Sequence, residues 1–271
     1  MQFVRLNGIA VHHQVINGPP GTPVVVFINS LGTDFRIWRD VIVRLVGQAT
    51  ILTYDKRGHG LTDIGAEPYT IDLLANDLAA LLDHLGHRRV TLVSLSVGGL
   101  IAQRLARLRP DLVEALVLCN SSARSGSAEM WAQRIAAIEA GGIEAVADSV
   151  LVRWFTDKFR DPANAELVGY RNMLVRQPQA GYLGTCLTLR DTDLRADTAT
   201  IAVPTLCVAG DQDGSTPPDV VLALAKSIPG ARYELIKDCG HIPCVEQPAM
   251  LTEILRAFLE LVKSDARQQR H

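Results

Sequence analysis

A serine stands between an apolar run and a helix-like segment in the pentad Ser94-Leu95-Ser96-Val97-Gly98. A strand–serine–helix turn of this kind, usually Gly-x-Ser-x-Gly, lifts one hydroxyl out of a sheet as a nucleophile. Small residues at the first and last positions permit the strained backbone that such a turn needs. We therefore predict that Ser96 is a nucleophile at the amino end of a helix, where free N–H groups favour developing negative charge. A plain Ser/Gly-rich turn is the alternative, because the first position is Ser rather than Gly.

A serine hydroxyl is a poor nucleophile at its normal pKa and needs a base beside it. His241, in CGHIPCVEQP, follows the last predicted strand and is the predicted base. Asp211 and Asp213, in VAGDQDGSTPP, follow another predicted strand, and either carboxylate could orient the imidazole. His59 lies in YDKRGHGLTD, in a turn with a glycine on either side. We predict that it is a structural residue or supports residues of the site, and that it is not the base.

Negative charge on a substrate oxygen would need hydrogen-bond donors. The loop in FINSLGTD follows the first long apolar strand, and in enzymes with this turn that loop supplies one backbone N–H. The residue after the nucleophile supplies the second. We expect Leu31 and Val97 to fill these two places.

These residues need a scaffold, and the apolar pattern predicts a mostly parallel sheet. The residues Asn7-Gly8 between two strand-like runs predict a hairpin. Segments of helical period alternate with the later apolar runs, which indicates βαβ units. The predicted strands are Val24–Ile28, Thr50–Tyr54, Val90–Ser94, Ala115–Cys119, Pro204–Gly210 and Arg232–Ile236. The predicted helices are Ile37–Val46, Ile71–Leu85, Leu100–Leu108, Val220–Ile228 and Met250–Val262.

The alternation is interrupted between residues 123 and 195, where the chain is helix-like throughout. A helical insertion between two parallel strands would sit over the carboxyl ends of the strands, where open α/β sheets bind ligands. We therefore predict a core domain of residues 1–122 and 196–271 with a helical lid at 123–195. A structural bundle away from any site is the alternative.

Composition excludes several classes of protein. The 271 residues carry a formal net charge of −2, which gives no reason to expect a nucleic-acid partner. The histidines show no metal-ligand spacing, and no apolar run approaches the length of a membrane span. Five irregularly spaced cysteines and an amino terminus unlike a signal peptide favour a cytoplasmic protein without disulfides.

The motifs together resemble those of the α/β-hydrolase superfamily with a helical lid, and the matching pieces span nearly the whole chain. They are NSLGTD, YDKRGHGLTD, SLSVGG, AGDQDGSTPP and CGHIPCVEQP. Asn-Ser-Leu-Gly-Thr and the lid segment make the chain most similar to the 3-oxoadipate enol-lactonases. This resemblance implies a Ser96–Asp213–His241 triad, with Asp213 rather than Asp211 as the acid, and no cofactor. Ser94 departs from the family's glycine.

The implied reaction is hydrolysis of 3-oxoadipate enol-lactone to 3-oxoadipate, a step of the β-ketoadipate pathway of aromatic-compound catabolism. Such a lactone carries a carboxylate, which an arginine fork suits. Trp131 and Arg134 are three residues apart on one predicted helical face and are the expected substrate contacts, with Ser30 and Trp154. Arg153 and Trp154 form a second candidate pair. Alternatively, Trp131 is lid core and Arg134 a solvated charge.

The same residues allow other functions. A general carboxylesterase, a cofactor-free haloperoxidase-like hydrolase and a carbon–carbon bond hydrolase share this machinery. A non-catalytic ligand receptor of the same fold can also retain the three side chains.

Overall fold

The computed structural model of the chain describes residues 2–66 and 68–268. Its centre is an eight-stranded sheet with the strand order β1-β2-β4-β3-β5-β6-β7-β8. The strands are β1 (Gln2–Leu6), β2 (Ile9–Ile16), β3 (Val24–Ile28), β4 (Thr50–Tyr54), β5 (Val90–Leu95), β6 (Val113–Cys119), β7 (Thr205–Gly210) and β8 (Arg232–Ile236).

The sheet is antiparallel only at one edge. Strand β2 pairs antiparallel with β1 and with β4, whereas every pair from β4 to β8 is parallel. The β1–β2 hairpin turns at Asn7 and Gly8, which both have positive φ, 49° and 76°, as a tight hairpin turn requires. The predicted α/β fold with a mostly parallel sheet is confirmed.

Helices connect the parallel strands. A 3₁₀ helix, Phe35–Trp38, precedes the first α-helix. The α-helices are α1 (Arg39–Leu45), α2 (Ile71–Leu85), α3 (Val97–Leu108), α4 (Ala128–Gly141), α5 (Glu144–Trp154), α6 (Ala165–Val175), α7 (Gln179–Asp191), α8 (Arg195–Thr198), α9 (Pro218–Ser227), α10 (Pro243–Glu246) and α11 (Pro248–Gln268). No helix in the described residues is long and apolar enough to cross a membrane.

Both faces of the sheet are covered by apolar side chains, as expected for parallel strands. Along β3, Val25 and Phe27 belong to the core on one face, while Val26 and Ile28 belong to the core on the other. Buried residues of α1 and α11 complete the first core, and those of α2, α3 and α9 complete the second. Successive side chains of β3 therefore point to opposite faces of the sheet and contribute to two hydrophobic cores.

Helices α4 to α7 all lie between β6 and β7, and residues 123–195 contain no strand. Their buried side chains, including Trp131 and Leu174, extend the core that contains α1 and α11. The short helix α8 (Arg195–Thr198) spans the predicted border at 195/196. The division into a core domain and a lid stays a prediction.

Of the five predicted helices, only Ile71–Leu85 has the same bounds in the structure. The segment predicted as Ile37–Val46 is the 3₁₀ helix followed by α1 (Arg39–Leu45), and the helix predicted as Val220–Ile228 is α9 (Pro218–Ser227). Helix α3 begins at Val97 rather than Leu100, because Val97, Gly98 and Gly99 already turn helically after Ser96. The carboxyl-terminal helix runs from Pro248 to Gln268, beyond both predicted ends.

All five cysteines are free and buried. Burial raises the pKa of each thiol, to about 12 for Cys186 and Cys207 and further for the other three. The thiols therefore remain protonated at neutral pH.

Candidate active site

Ser96 lies in a strained turn between the end of β5 and the start of α3. Its backbone has φ 57° and ψ −118°, a conformation that costs a non-glycine residue free energy and is common at functional sites. Its N–H donates to the carbonyl of Cys119 at 3.0 Å, and its carbonyl accepts from Ser121 Oγ at 2.8 Å. Contacts to the last residue of β6 and to the segment that follows it therefore hold the turn from both sides.

The residues on either side of Ser96 explain the pentad. A Cβ atom at Gly98 would lie 2.6 Å from the carbonyl oxygen of Ile28, so only glycine lets α3 approach β3 this closely. Ser94 is fully buried, and its hydroxyl donates to the carbonyl of Val117 at 2.8 Å. The serine that replaces the family's usual glycine thus has a satisfied hydroxyl.

Gly98→Ala should lower the free energy of unfolding by about 1–3 kcal/mol, because the added methyl overpacks against a backbone atom. Gly169→Ala is the matched control, since its Cβ would meet nothing within 4 Å and alanine favours a helix interior. Thermal unfolding of both variants measures the difference. Equal unfolding temperatures would show that β3 and α3 can separate without cost.

His241 pairs with Asp213 beyond the carboxyl ends of β7 and β8. His241 Nδ1 lies 2.8 Å from Asp213 Oδ2, and both side chains are almost fully buried. The other oxygen of Asp213 accepts from the N–H groups of Ser215 and Thr216 at 2.7 and 3.0 Å. This arrangement places the proton of the neutral imidazole on Nδ1 and leaves Nε2 as the acceptor.

Asp211 occupies a different position from Asp213. Its Oδ1 accepts from the N–H of Cys239 at 3.2 Å, and its Oδ2 lies 3.7 Å from Lys237 Nζ. The sequence left both aspartates open on spacing alone; the carboxylate in contact with His241 is that of Asp213.

The loop that carries His241 is braced by residues that sequence reasoning missed. Asn120, at the end of β6, donates to the carbonyls of Gly240 and His241 at 3.1 and 2.9 Å and accepts from Gly210 N at 2.8 Å. Glu246 accepts from Gly240 N at 2.8 Å. A polar residue directly after a predicted strand was the available signal for Asn120.

The predicted oxyanion donors lie in the two expected loops. Val97 is the first residue of α3, where N–H groups have no intrahelical acceptor. Leu31 follows β3, and the next N–H, that of Gly32, donates to His59 Nε2 at 3.1 Å. Burial, and after it the charge of Lys56, holds the pKa of His59 well below its usual value. His59 is therefore neutral, and its ring nitrogens contact the backbone groups of Gly32 and Arg57.

A cavity of about 360 Å³ lies between the sheet ends and helices α4, α5 and α7. Ser96 and His241 both line it. Val97 and Asp213 are buried behind that wall. The other predicted site residues also line the cavity: Ser30, Leu31, Trp131, Arg134 and Trp154.

Two arginines give the cavity a cationic side. Arg134 Cζ lies 5.3 Å from the ring centroid of Trp131, and Arg153 lines the same cavity. Neither forms an ion pair with a carboxylate of the described residues. Burial and the neighbouring Arg134 lower the pKa of Arg153. Tyr182 adds a buried hydroxyl that has no hydrogen-bond partner in the described part of the chain.

Within residues 2–66 and 68–268, no three His, Cys, Asp or Glu side chains are grouped so that they could hold a metal ion. The arrangement at the cavity can instead support acyl transfer: a hydroxyl at a helix start, an imidazole with its carboxylate, and backbone donors.

The sheet order, the turn at Ser96 and the His241–Asp213 pair define a class of hydrolase fold. The chain belongs to the α/β-hydrolase family, whose model, described as alpha/beta hydrolase fold, matches residues 23–248. It is 33% identical over 249 residues to 3-oxoadipate enol-lactonase 1 of Acinetobacter baylyi, covering 92% of each chain.

Solved structures agree with this placement. The crystal structure of the enol-lactonase from Burkholderia xenovorans superposes with a TM-score of 0.91 at 35% identity, over 96% of this chain and 100% of that one. A thermophilic esterase from Thermogutta terrifontis, in a malate-bound structure, has a TM-score of 0.89 at 26% identity, over 97% of this chain and 99% of that one.

Proposed function

We propose that this hydrolase opens a small anionic enol-lactone, 3-oxoadipate enol-lactone, to give 3-oxoadipate in aromatic-compound catabolism. The similarity to enol-lactonases of two organisms supports this proposal. The observation that carries the substrate class is the pair Arg134 and Arg153, two guanidinium groups in the wall of the cavity that Ser96 and His241 line.

The first half of the reaction forms an acyl-enzyme. Ser96 Oγ attacks the lactone carbonyl carbon while His241 Nε2 takes the hydroxyl proton. Asp213 keeps the second imidazole proton on Nδ1 and stabilises the imidazolium. The N–H groups of Leu31 and Val97 donate to the carbonyl oxygen as it becomes negative, and each such donor is worth about 3–4 kcal/mol of transition-state stabilisation.

Collapse of the tetrahedral intermediate breaks the bond between the carbonyl carbon and the ring oxygen. That oxygen leaves as an enol, takes the proton from His241, and later becomes a ketone. Because the ring is opened by this step, the leaving group stays attached as part of the acyl chain. Water then attacks the ester carbonyl, with His241 as the base, and releases the open-chain acid.

The carboxylate arm of the lactone needs a partner once water is excluded. Arg134 rests on Trp131, which is itself held by a 2.7 Å hydrogen bond from Nε1 to the carbonyl of Ser125. Arg153 lies one residue before Trp154, whose carbonyl accepts from His241 N at 2.7 Å. Arg134 is thus positioned by the ring of Trp131, and Arg153 belongs to the segment whose backbone binds the His241 loop. An incoming carboxylate would relieve the repulsion between them.

Arg134→Ala and Arg153→Ala should each raise KM for the anionic lactone about 10- to 100-fold, the worth of a charged hydrogen bond. The KM of a neutral p-nitrophenyl ester of similar size should change little. Arg107→Ala is the matched control. Arg107 is exposed on α3, so this substitution removes the same charge at a place away from the cavity. If a substitution changed the KM of both substrates equally, the arginine concerned would not bind the carboxylate of the lactone.

The same substrates separate the alternatives. A strong preference of the unaltered enzyme for the neutral ester would favour a carboxylesterase, which the similarity to an esterase supports. Absence of a covalent adduct with a serine-reactive phosphonate would favour a receptor.

We propose further that residues 123–195 act as a lid on a core of residues 1–122 and 196–271, since they supply Trp131, Arg134 and Arg153. We also propose that the protein is cytoplasmic.

A further inference from the structure

Lys56 is a fully buried lysine beneath the loop that follows β3. It lies two residues after the end of β4 and is 2% exposed. Its Nζ donates to the carbonyl oxygen of Ser30 at 2.6 Å. Thr33 Oγ1 donates to the same oxygen at 3.0 Å, so this one carbonyl accepts two side-chain hydrogen bonds.

The carbonyl of Ser30 and the N–H of Leu31 belong to one peptide group. A trans peptide is planar, so its N–H points away from its C=O. Donors that fix the oxygen from below therefore fix the direction of the N–H on the opposite edge. The N–H of Leu31 donates to no acceptor in the described residues, while Leu31 itself lines the cavity.

An ammonium on the carbonyl oxygen also changes the strength of the N–H as a donor. Charge-assisted hydrogen bonds polarise the groups they join, and chains of hydrogen bonds strengthen one another. A positive charge on the oxygen side draws electron density from the amide nitrogen. The N–H on the other side then becomes a better donor to a negative oxygen.

We propose that Lys56 is a positioning residue of the oxyanion site: its Nζ orients and polarises the Ser30–Leu31 peptide so that the Leu31 N–H meets the negative oxygen of the tetrahedral intermediate. This inference rests on the proposed function. Lys56 touches no reacting atom and acts through a backbone group.

Stability separates this role from a merely structural one. Burial lowers the pKa of Lys56 to about 7, although Asp55 and Asp34 act in the opposite direction, and the neighbouring His59 is neutral. The unfolded chain therefore holds this proton more tightly than the folded one does, so charged Lys56 opposes folding. That cost is fully present below about pH 7 and disappears as the pH rises towards the ordinary lysine value.

Lys56→Met tests the proposal, because methionine fills similar volume without charge or donor. We expect kcat to fall about 10- to 100-fold, less than the loss of a whole oxyanion donor. KM for the lactone should stay within about threefold, because a group that acts only in the transition state leaves ground-state binding unchanged. Affinity for a trifluoromethyl ketone, which forms a tetrahedral adduct on the serine, should fall in parallel with kcat. The unfolding temperature at pH 6 should be unchanged or higher.

Lys226→Met is the matched control, because Lys226 is exposed on α9. Thr33→Val removes the second donor from the Ser30 carbonyl at nearly constant volume, and it serves if Lys56→Met does not fold. This variant should also lower kcat more than it raises KM. An unchanged kcat in the folded Lys56 and Thr33 variants would overturn the proposal. It would also be overturned if the losses in kcat and ketone affinity were accompanied by a lower unfolding temperature, since that would indicate a merely structural role. Retained turnover in Ser96→Ala would instead overturn the proposed function itself.

Discussion

Ser96→Ala is expected to lower kcat by about 10⁶-fold, as removal of a triad nucleophile does in other serine hydrolases. The hydroxyl supplies the protein atom that forms a covalent bond to the substrate in the proposed mechanism. Binding should survive, because Arg134, Arg153 and the rest of the cavity wall are untouched. Steady-state turnover of the lactone and calorimetric titration with 3-oxoadipate measure the two quantities separately.

A surface serine provides the comparison for this variant. Ser227, at the end of α9, donates only to the carbonyl of Leu224 in its own helix, so Ser227→Ala should keep full turnover. A serine-directed phosphonate should label the unaltered enzyme and the Ser227 variant but not Ser96→Ala. Substantial turnover by Ser96→Ala would mean that another group attacks the lactone.

Asp213→Asn should lower kcat by about 10⁴-fold while leaving the fold intact. The carboxylate accepts a hydrogen bond from His241 Nδ1 at 2.8 Å. An amide in its place can donate to Nδ1, which moves the imidazole proton to Nε2 and removes the acceptor that Ser96 needs. The measurement is kcat at a pH where the unaltered enzyme is fully active.

Asp211→Asn is the matched change two residues earlier. Its carboxylate contacts the N–H of Cys239 and Lys237, and an asparagine oxygen can still accept from that N–H. Turnover should therefore stay within about threefold, because the ion pair that is lost is long, at 3.7 Å, and its lysine is exposed, so it contributes at most about 1 kcal/mol. If Asp211→Asn lost more activity than Asp213→Asn, the carboxylate would be assigned to the wrong residue.

The central strands of the sheet could be predicted closely from sequence because they are buried on both faces. Val24–Ile28 and Thr50–Tyr54 have the same bounds in the structure as in the prediction. Continuous apolar runs of this length between glycines and prolines leave few other conformations. Helix ends were harder to place, since Gly98 and Gly99 read as a turn although both lie in α3. Their helical state depends on packing against Ile28 and Ser121.

The candidate site was predictable where each residue follows a strand in a motif of its own. Residues that act across the fold gave no such signal. Asn120 connects the loops of Gly210 and His241, which are distant in sequence. Lys56 belongs to no motif of its own in the sequence, and the role that we propose for it depends on its hydrogen bond to the Ser30 carbonyl. Long-range hydrogen bonds of this kind are absent from any local pattern.

The burial of all five sulfur atoms has a practical consequence for chemical labelling of this enzyme. A thiol reacts with electrophiles as the thiolate, and these protonated sulfurs lie out of solvent in the folded chain. Active-site-directed reagents that would alkylate an exposed cysteine can therefore be used on the native protein without mutating a cysteine first. Adducts found by mass spectrometry under native conditions are then expected on Ser96, and cysteine adducts are expected only from molecules that have unfolded.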